Sequence, residues 1–128
     1  MEPLSILGPP AQAYRDDHLA VDFDHRLAVL DSQRMVLTRK EYDLLEMLVK
    51  HAGEIVPRDV LLLRVWGYGV GIRTRTLDVH VRRVRKKLGA HAERYIETIF
   101  GIGYRFQPLR PARAFPQAAG APAMAMGA

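Results

Sequence analysis

RTRTLDVHVRRVRKKLG, residues 73–89, is the stretch on which the reading of this chain turns. At about 100° per residue, Leu77, Val81, Val84 and Leu88 fall within a sector of about 60°, a single narrow apolar seam. The spacing predicts a helix from about Thr74 to Leu88, ended by Gly89. Opposite the seam lie Arg75, Val79, Arg82, Arg83 and Lys86, with Thr76 and His80 towards one edge and Arg85 and Asp78 towards the other. One face is built for a core and the other is almost wholly cationic. Like charges at three- and four-residue spacing repel by a few tenths of a kcal/mol per pair, so their concentration points to a polyanion that repays it. Val79 has no use in water at the centre of that face, but it can meet a thymine methyl group. Thr76 can donate to a phosphate or a base, and an arginine can reach guanine O6 and N7 with two hydrogen bonds.

Charge elsewhere sharpens the point. The chain has 128 residues, with 19 Lys and Arg against 14 Asp and Glu, a formal net charge of +5. Residues 73–88 hold seven cations (Arg73, Arg75, Arg82, Arg83, Arg85, Lys86 and Lys87) against Asp78 alone, which leaves twelve cations and thirteen acids for the rest. The net positive charge therefore sits in one segment. The count of cysteines is zero, which excludes disulfides, thiol nucleophiles and cysteine-ligated metals. His18, His25, His51, His80 and His91 are scattered without ligand spacing, and no carboxylate pair or nucleophile–base arrangement can be placed. No enzyme activity, cofactor or metal is expected. Neither a long apolar run nor a basic-then-apolar leader is present, so membrane and export readings are set aside and a cytoplasmic, nucleoid-associated protein is expected.

Working outward, Leu19, Val21 and Phe23 alternate as in a strand, and Leu27–Leu30 and Met35–Leu37 read as two more, in a small antiparallel sheet. Thr38 and Glu41 form the S/T-x-x-E capping box, which predicts a first helix from about Arg39 to Ala52, stopped by Gly53. Pro57 opens a second helix with Leu61, Leu62, Val65 and Trp66 as its buried stripe. Gly67-Tyr68-Gly69-Val70-Gly71 follows a helix and lacks the lysine of a phosphate-binding loop, so it is read as a hinge or turn. Tyr95–Phe100 and Tyr104–Phe106 flank the turn Gly101-Ile102-Gly103 as a β-hairpin. The expected class is α+β: sheet, three helices, hairpin. Residues 1–16 are expected to be a flexible arm or linker remnant, 17–107 the folded domain, and 108–128 a disordered Ala/Pro-rich tail.

LTRKEYDLLEMLVKHAGEIVPRDVLLLRVWG (37–67), RTRTLDVHVRRVRKKLG (73–89) and YIETIFGIGYRF (95–106) together resemble the effector domain of OmpR/PhoB-type response regulators. The resemblance covers about residues 19–107, and the helix followed by a GxGYRF hairpin is its most specific element. It implies a winged helix-turn-helix with an N-terminal four-stranded sheet, a third helix in the major groove of double-stranded DNA and a hairpin wing beside the minor groove. Arg75, Thr76, Val79, His80, Arg82, Arg83 and Arg85 match recognition-helix positions that touch DNA in the family; Trp66, Thr98 and Tyr104 match backbone-contacting positions. Arg73 and Lys86 join them by charge. Trp66 belongs equally to the apolar stripe, and His80 suits packing or a phosphate better than a base.

Phe100 departs from the resemblance, standing where many relatives have an arginine that enters the minor groove. A wing that grips only phosphates, an inward-packed Phe100 and a Phe100 wedged at the groove are the three alternatives. Loop 67–74 matches a surface that touches RNA polymerase in relatives, although Tyr68, Val70 and Ile72 give it no electrostatic handle. Relatives bind direct repeats head to tail, so two copies on adjacent half-sites are implied. The segment before Leu19 is too short for a receiver domain, so if 128 residues is the natural length, phosphorylation is not expected to switch this chain. Two other classes compete with a sequence-specific DNA-binding transcriptional regulator. One is a winged-helix protein-interaction module without DNA reading, and the other is a small basic nuclease.

Overall fold

The computed structural model describes residues 13–109. Four strands open the domain: β1 (Ala13–Arg15), β2 (Leu19–Asp22), β3 (Leu27–Leu30) and β4 (Gln33–Arg34), paired antiparallel in the order β1-β2-β3-β4. Leu19 and Val21 point into the core, as their alternation predicts. Two boundaries of this sheet differ from the sequence reading. The sheet begins at Ala13, so the arm placed at 1–16 ends too late: Tyr14 sets its ring edge-on against Phe106, with centroids 5.3 Å apart, and its hydroxyl donates to Asp16. The rest of that arm and residues 110–128 of the expected tail lie outside the described residues. The strand expected at Met35–Leu37 forms at Gln33–Arg34 instead. Asp31 and Ser32 both take positive φ (48° and 69°), a two-residue turn that makes Leu30 and Gln33 partners at once.

Helix α1 (Arg39–Lys50) starts where the capping box places it. Glu41 N–H donates to Thr38 Oγ1 (3.2 Å) and Thr38 N–H to Glu41 Oε1 (2.9 Å). A strand that the sequence reading omitted, β5 (Ile55–Pro57), leads directly into α2 (Arg58–Leu61), which widens into a π-type turn over Leu62–Trp66. Gly67 ends it in the left-handed region (φ 77°). Lys40 Nζ donates to Val65 O (2.7 Å), supplying a partner for one of the carbonyls that a helix end leaves free.

Helix α3 (Thr76–Leu88) is the helix of the opening stretch. Leu77, Val81, Val84 and Leu88 are all at most 1% exposed, and burial of such side chains stabilises by about 1.5–3 kcal/mol each. Thr74 Oγ1 accepts from Thr76 N–H (3.1 Å) at its start. A 3₁₀ turn (Gly89–His91) and the short α4 (Ala92–Tyr95) follow, then β6 (Ile96–Ile99) and β7 (Gly103–Phe106). β7 lies between β5 and β6, so the hairpin is two strands of a three-stranded sheet. Pro57, which has no N–H to give, sits on an edge strand. Opposite it, Gly103 is obligatory, because a Cβ there would lie 2.1 Å from Val56 O. Tyr95 and Phe106 stack at 5.4 Å in the core beneath.

Candidate nucleic-acid interface

The outward face of α3 carries Arg82, Arg83 and Lys86, all exposed, with Arg75 and Arg73 exposed just ahead of its first turn and Val79 half-buried between them. Arg73 and Arg75 border an open cleft shared with Arg58 and Asp59 of α2 and with Leu62 at the start of the π-type turn, so the approach to α3 and the preceding helix meet along one cleft. Thr76 Oγ1 accepts from the Thr74 hydroxyl (2.9 Å). His80 Nδ1 lies 2.9 Å from Thr76 O, and its ring meets Trp66 edge-on at 4.9 Å. His80 is therefore packed against the end of α2, in line with the packing alternative, and Trp66 is half-buried beside it.

The remaining predicted site residues are drawn into the protein. Arg85 donates through Nη2 to Ile96 O (2.9 Å) and Thr98 Oγ1 (2.7 Å), while its Nε is buried without a partner. Tyr104 is 6% exposed, and its hydroxyl donates to Asp78 Oδ1 (2.6 Å). Arg85, Thr98 and Tyr104 thus join α3 to the wing. Burial, reinforced by the bond to Asp78, pushes the Tyr104 phenol up to about 12. Asp78 also receives Arg58 Nη1 (2.7 Å) and Nη2 (3.2 Å), and that fork holds its carboxyl below the usual aspartate value. Arg58 is a residue that sequence reasoning missed; Asp78, the sole acid among seven cations, was the available signal.

Lys87 is likewise committed, its Nζ 2.6 Å from Glu41 Oε1. Burial resists ionisation of Glu41, but Lys87 and the Thr38 N–H outweigh it and hold the carboxyl below its ordinary range. The capping-box acid of α1 thereby also anchors α3. At the wing tip Phe100 is 89% exposed, which removes the inward-packed alternative. Val70, Ile72 and Leu63 are exposed along the loop and the face of α2 next to it.

A family model described as "Transcriptional regulatory protein, C terminal" matches residues 32–106. The chain belongs to the OmpR/PhoB-type effector-domain family. Transcriptional regulatory protein SrrA of Staphylococcus aureus is 40% identical over 93 residues, covering 70% of this chain and 39% of SrrA. The chain thus spans about two-fifths the length of the curated relatives it matches. Among solved structures, the RstA DNA-binding domain of Klebsiella pneumoniae in complex with the RstA box superposes with a TM-score of 0.69 at 32% identity, covering 75% of this chain and 97% of that one. The DNA-binding domain of CpxR from E. coli gives 0.68 at 27% identity, covering 78% and 97%. The fold is the family's winged helix-turn-helix: N-terminal antiparallel sheet, three principal helices and C-terminal hairpin. Among the described residues no helix is long and apolar enough to cross a membrane.

Proposed function

We propose that this domain reads double-stranded DNA sequence-specifically as part of a cytoplasmic transcriptional regulator, with α3 in the major groove and the β6–β7 wing at the adjacent backbone and minor groove. The observation that carries the reading is the division of cations on α3. Those on the flanks are tied to other elements, whereas Arg82, Arg83 and Lys86 are exposed on the outward face around Val79. Arg83 and Val79 are the base readers, Thr76 a base or phosphate donor, and Arg73, Arg75, Arg82 and Lys86 the phosphate contacts that set register. His80 and Trp66 present their exposed edges to the backbone. Arg85, Thr98 and Tyr104 serve by holding the wing at a fixed angle to α3, and Phe100 wedges at the groove. Support for DNA as the partner comes from membership of the family and from the DNA complex of RstA. Two copies would occupy direct-repeat half-sites head to tail, and the exposed Val70 and Ile72 of loop 67–74 would face RNA polymerase.

The test is selection from a randomised duplex library by fluorescence anisotropy at two salt concentrations. Recovery of a repeated half-site at a spacing near one helical turn, with a steep salt slope, supports the reading. Salt-sensitive binding with no enriched sequence overturns sequence reading. Binding that ignores salt and survives reversal of Arg82 and Arg83 favours the protein-interaction module.

A further inference from the structure

The five histidines are scattered along the chain, but two of them meet in space. His18 lies in the turn between β1 and β2, Asp31 begins the β3–β4 turn, and His91 closes the 3₁₀ turn after α3. His18 Nδ1 is 2.6 Å from Asp31 Oδ1, and His91 Nε2 is 3.0 Å from Asp31 Oδ2. The two imidazoles face each other at 4.3 Å between centroids, tilted by 32°, and the three ligand atoms lie within 4.8 Å of one another. We propose that His18, Asp31 and His91 form a binding site for one divalent transition-metal ion of the Zn2+ class, on the side of the domain where the N-terminal sheet meets the end of α3. This departs from the sequence expectation of no metal, which rested on spacing along the chain.

The chemistry of the donors selects the ion. Two imidazole nitrogens and one carboxylate suit Zn2+, Co2+ and Ni2+, whereas Mg2+ and Ca2+ prefer all-oxygen sets. At metal–ligand distances of about 2.0–2.2 Å, neighbouring ligand atoms around a tetrahedral ion stand about 3.3–3.6 Å apart, so the contacts of His18 and His91 with Asp31, now 2.6 and 3.0 Å, open by about 1 Å or less around an ion, and the three ligand atoms already lie within 4.8 Å of one another. An ion there replaces the imidazole N–H donors now aimed at one carboxylate. Backbone anchors hold the ligands beforehand. Asp31 N–H donates to His18 O (2.7 Å), His18 N–H donates to Asp16 Oδ1 (2.8 Å), and Tyr95, one turn beyond His91, donates its hydroxyl to the same Asp16 (2.8 Å). Asp31 is about half exposed, so water reaches the ion and completes its coordination. His25 with Asp22 and His51 with Glu54 supply only single imidazoles and serve as internal controls. A bound ion would pin the N-terminal sheet to the turn that ends α3.

The experiment uses the untagged full chain, stripped with chelator and titrated with Zn2+ by calorimetry and with Co2+ by visible absorbance. One ion per chain with saturation in the micromolar range, d–d bands for Co2+ and a metal-dependent rise in Tm are expected. His91→Ala and Asp31→Asn should each weaken binding at least about tenfold, while the double variant His25→Ala/His51→Ala leaves it unchanged. Circular dichroism and Tm without metal establish that each variant is folded; His18→Gln, which keeps a polar side chain, replaces any that is not. No saturable binding, or binding untouched by His91→Ala in a folded chain, overturns the site.

Discussion

Arg83 and Arg85 stand two residues apart on the same helix, and the fold uses them differently. Arg83 is exposed on the outward face; Arg85 turns towards the wing and donates to Ile96 O and Thr98 Oγ1. The same contrast separates Lys86 from Lys87, which is held by the buried Glu41. Helical geometry accounts for the split. Arg85 and Lys87 lie about 70–90° to either side of the apolar seam, where a long side chain reaches the neighbouring element, whereas Arg82, Arg83 and Lys86 lie about 130° or more away and reach only outward. A cation count treats all five alike. Position relative to the seam assigns some to hold the scaffold and leaves the others for a partner.

The sharpest way to break this division is charge reversal on the outward face. Arg82→Glu with Arg83→Glu should lower DNA affinity by about a hundredfold or more at moderate salt, with Tm within a few degrees of wild type. A large fall in Tm in this variant would show that the outward cations also hold the fold.

The next effect separates the two arginines singly. Arg85→Ala leaves Ile96 O and Thr98 Oγ1 without their shared donor and should cost about 1–3 kcal/mol of stability, seen in denaturant unfolding and as faster amide exchange in β6. Arg83→Ala should stay within about 0.5 kcal/mol of wild-type stability yet lose about 1–3 kcal/mol of discrimination between a cognate site and one changed at the contacted base. Equal stability losses in both would erase the distinction.

Asp78 belongs to the holding side of α3, since it takes both Arg58 nitrogens and the Tyr104 hydroxyl. Its folded pKa is depressed from the ordinary 3.8, chiefly by Arg58. A depressed carboxyl contributes stability that is present above its unfolded pKa and is lost as pH falls through the folded value. Asp78→Asn should therefore lower Tm at pH 7, and the gap to wild type should narrow below about pH 4. A gap independent of pH would assign the effect to packing.

These elements also show what a sequence can disclose. The Thr38–Glu41 capping box and the Leu77, Val81, Val84, Leu88 seam are local patterns, and both occur where they were expected. Strands β1 and β5 were missed because three residues give too little periodicity: β1 pairs with the neighbouring β2 and sets Tyr14 against the distant Phe106, and Ile55–Pro57 pairs with the distant β7. At the candidate site, the outward sector was legible because helical angle depends on spacing alone. The engagement of Arg85, Thr98 and Tyr104 within the protein was not, since it depends on where the wing folds back. Arg58 remained hidden for the same reason, and so did the approach of His18 to His91.

The smallest effect tests whether the outward cations differ among themselves. Lys86 lies almost diametrically opposite the seam, near the C-terminal end of α3, and is exposed. An ammonium is a point charge without the planar fork that reads guanine, so its contribution is counterion release from a phosphate. Lys86→Ala should weaken binding by a similar factor on cognate and scrambled duplexes, and lower the slope of log K against log salt by about one. Arg83→Ala, measured alongside, should change the ratio between those duplexes. If Lys86→Ala changed the ratio too, the reading surface would extend to the last turn of α3, and the boundary between reading and positioning would have to move by one helical turn.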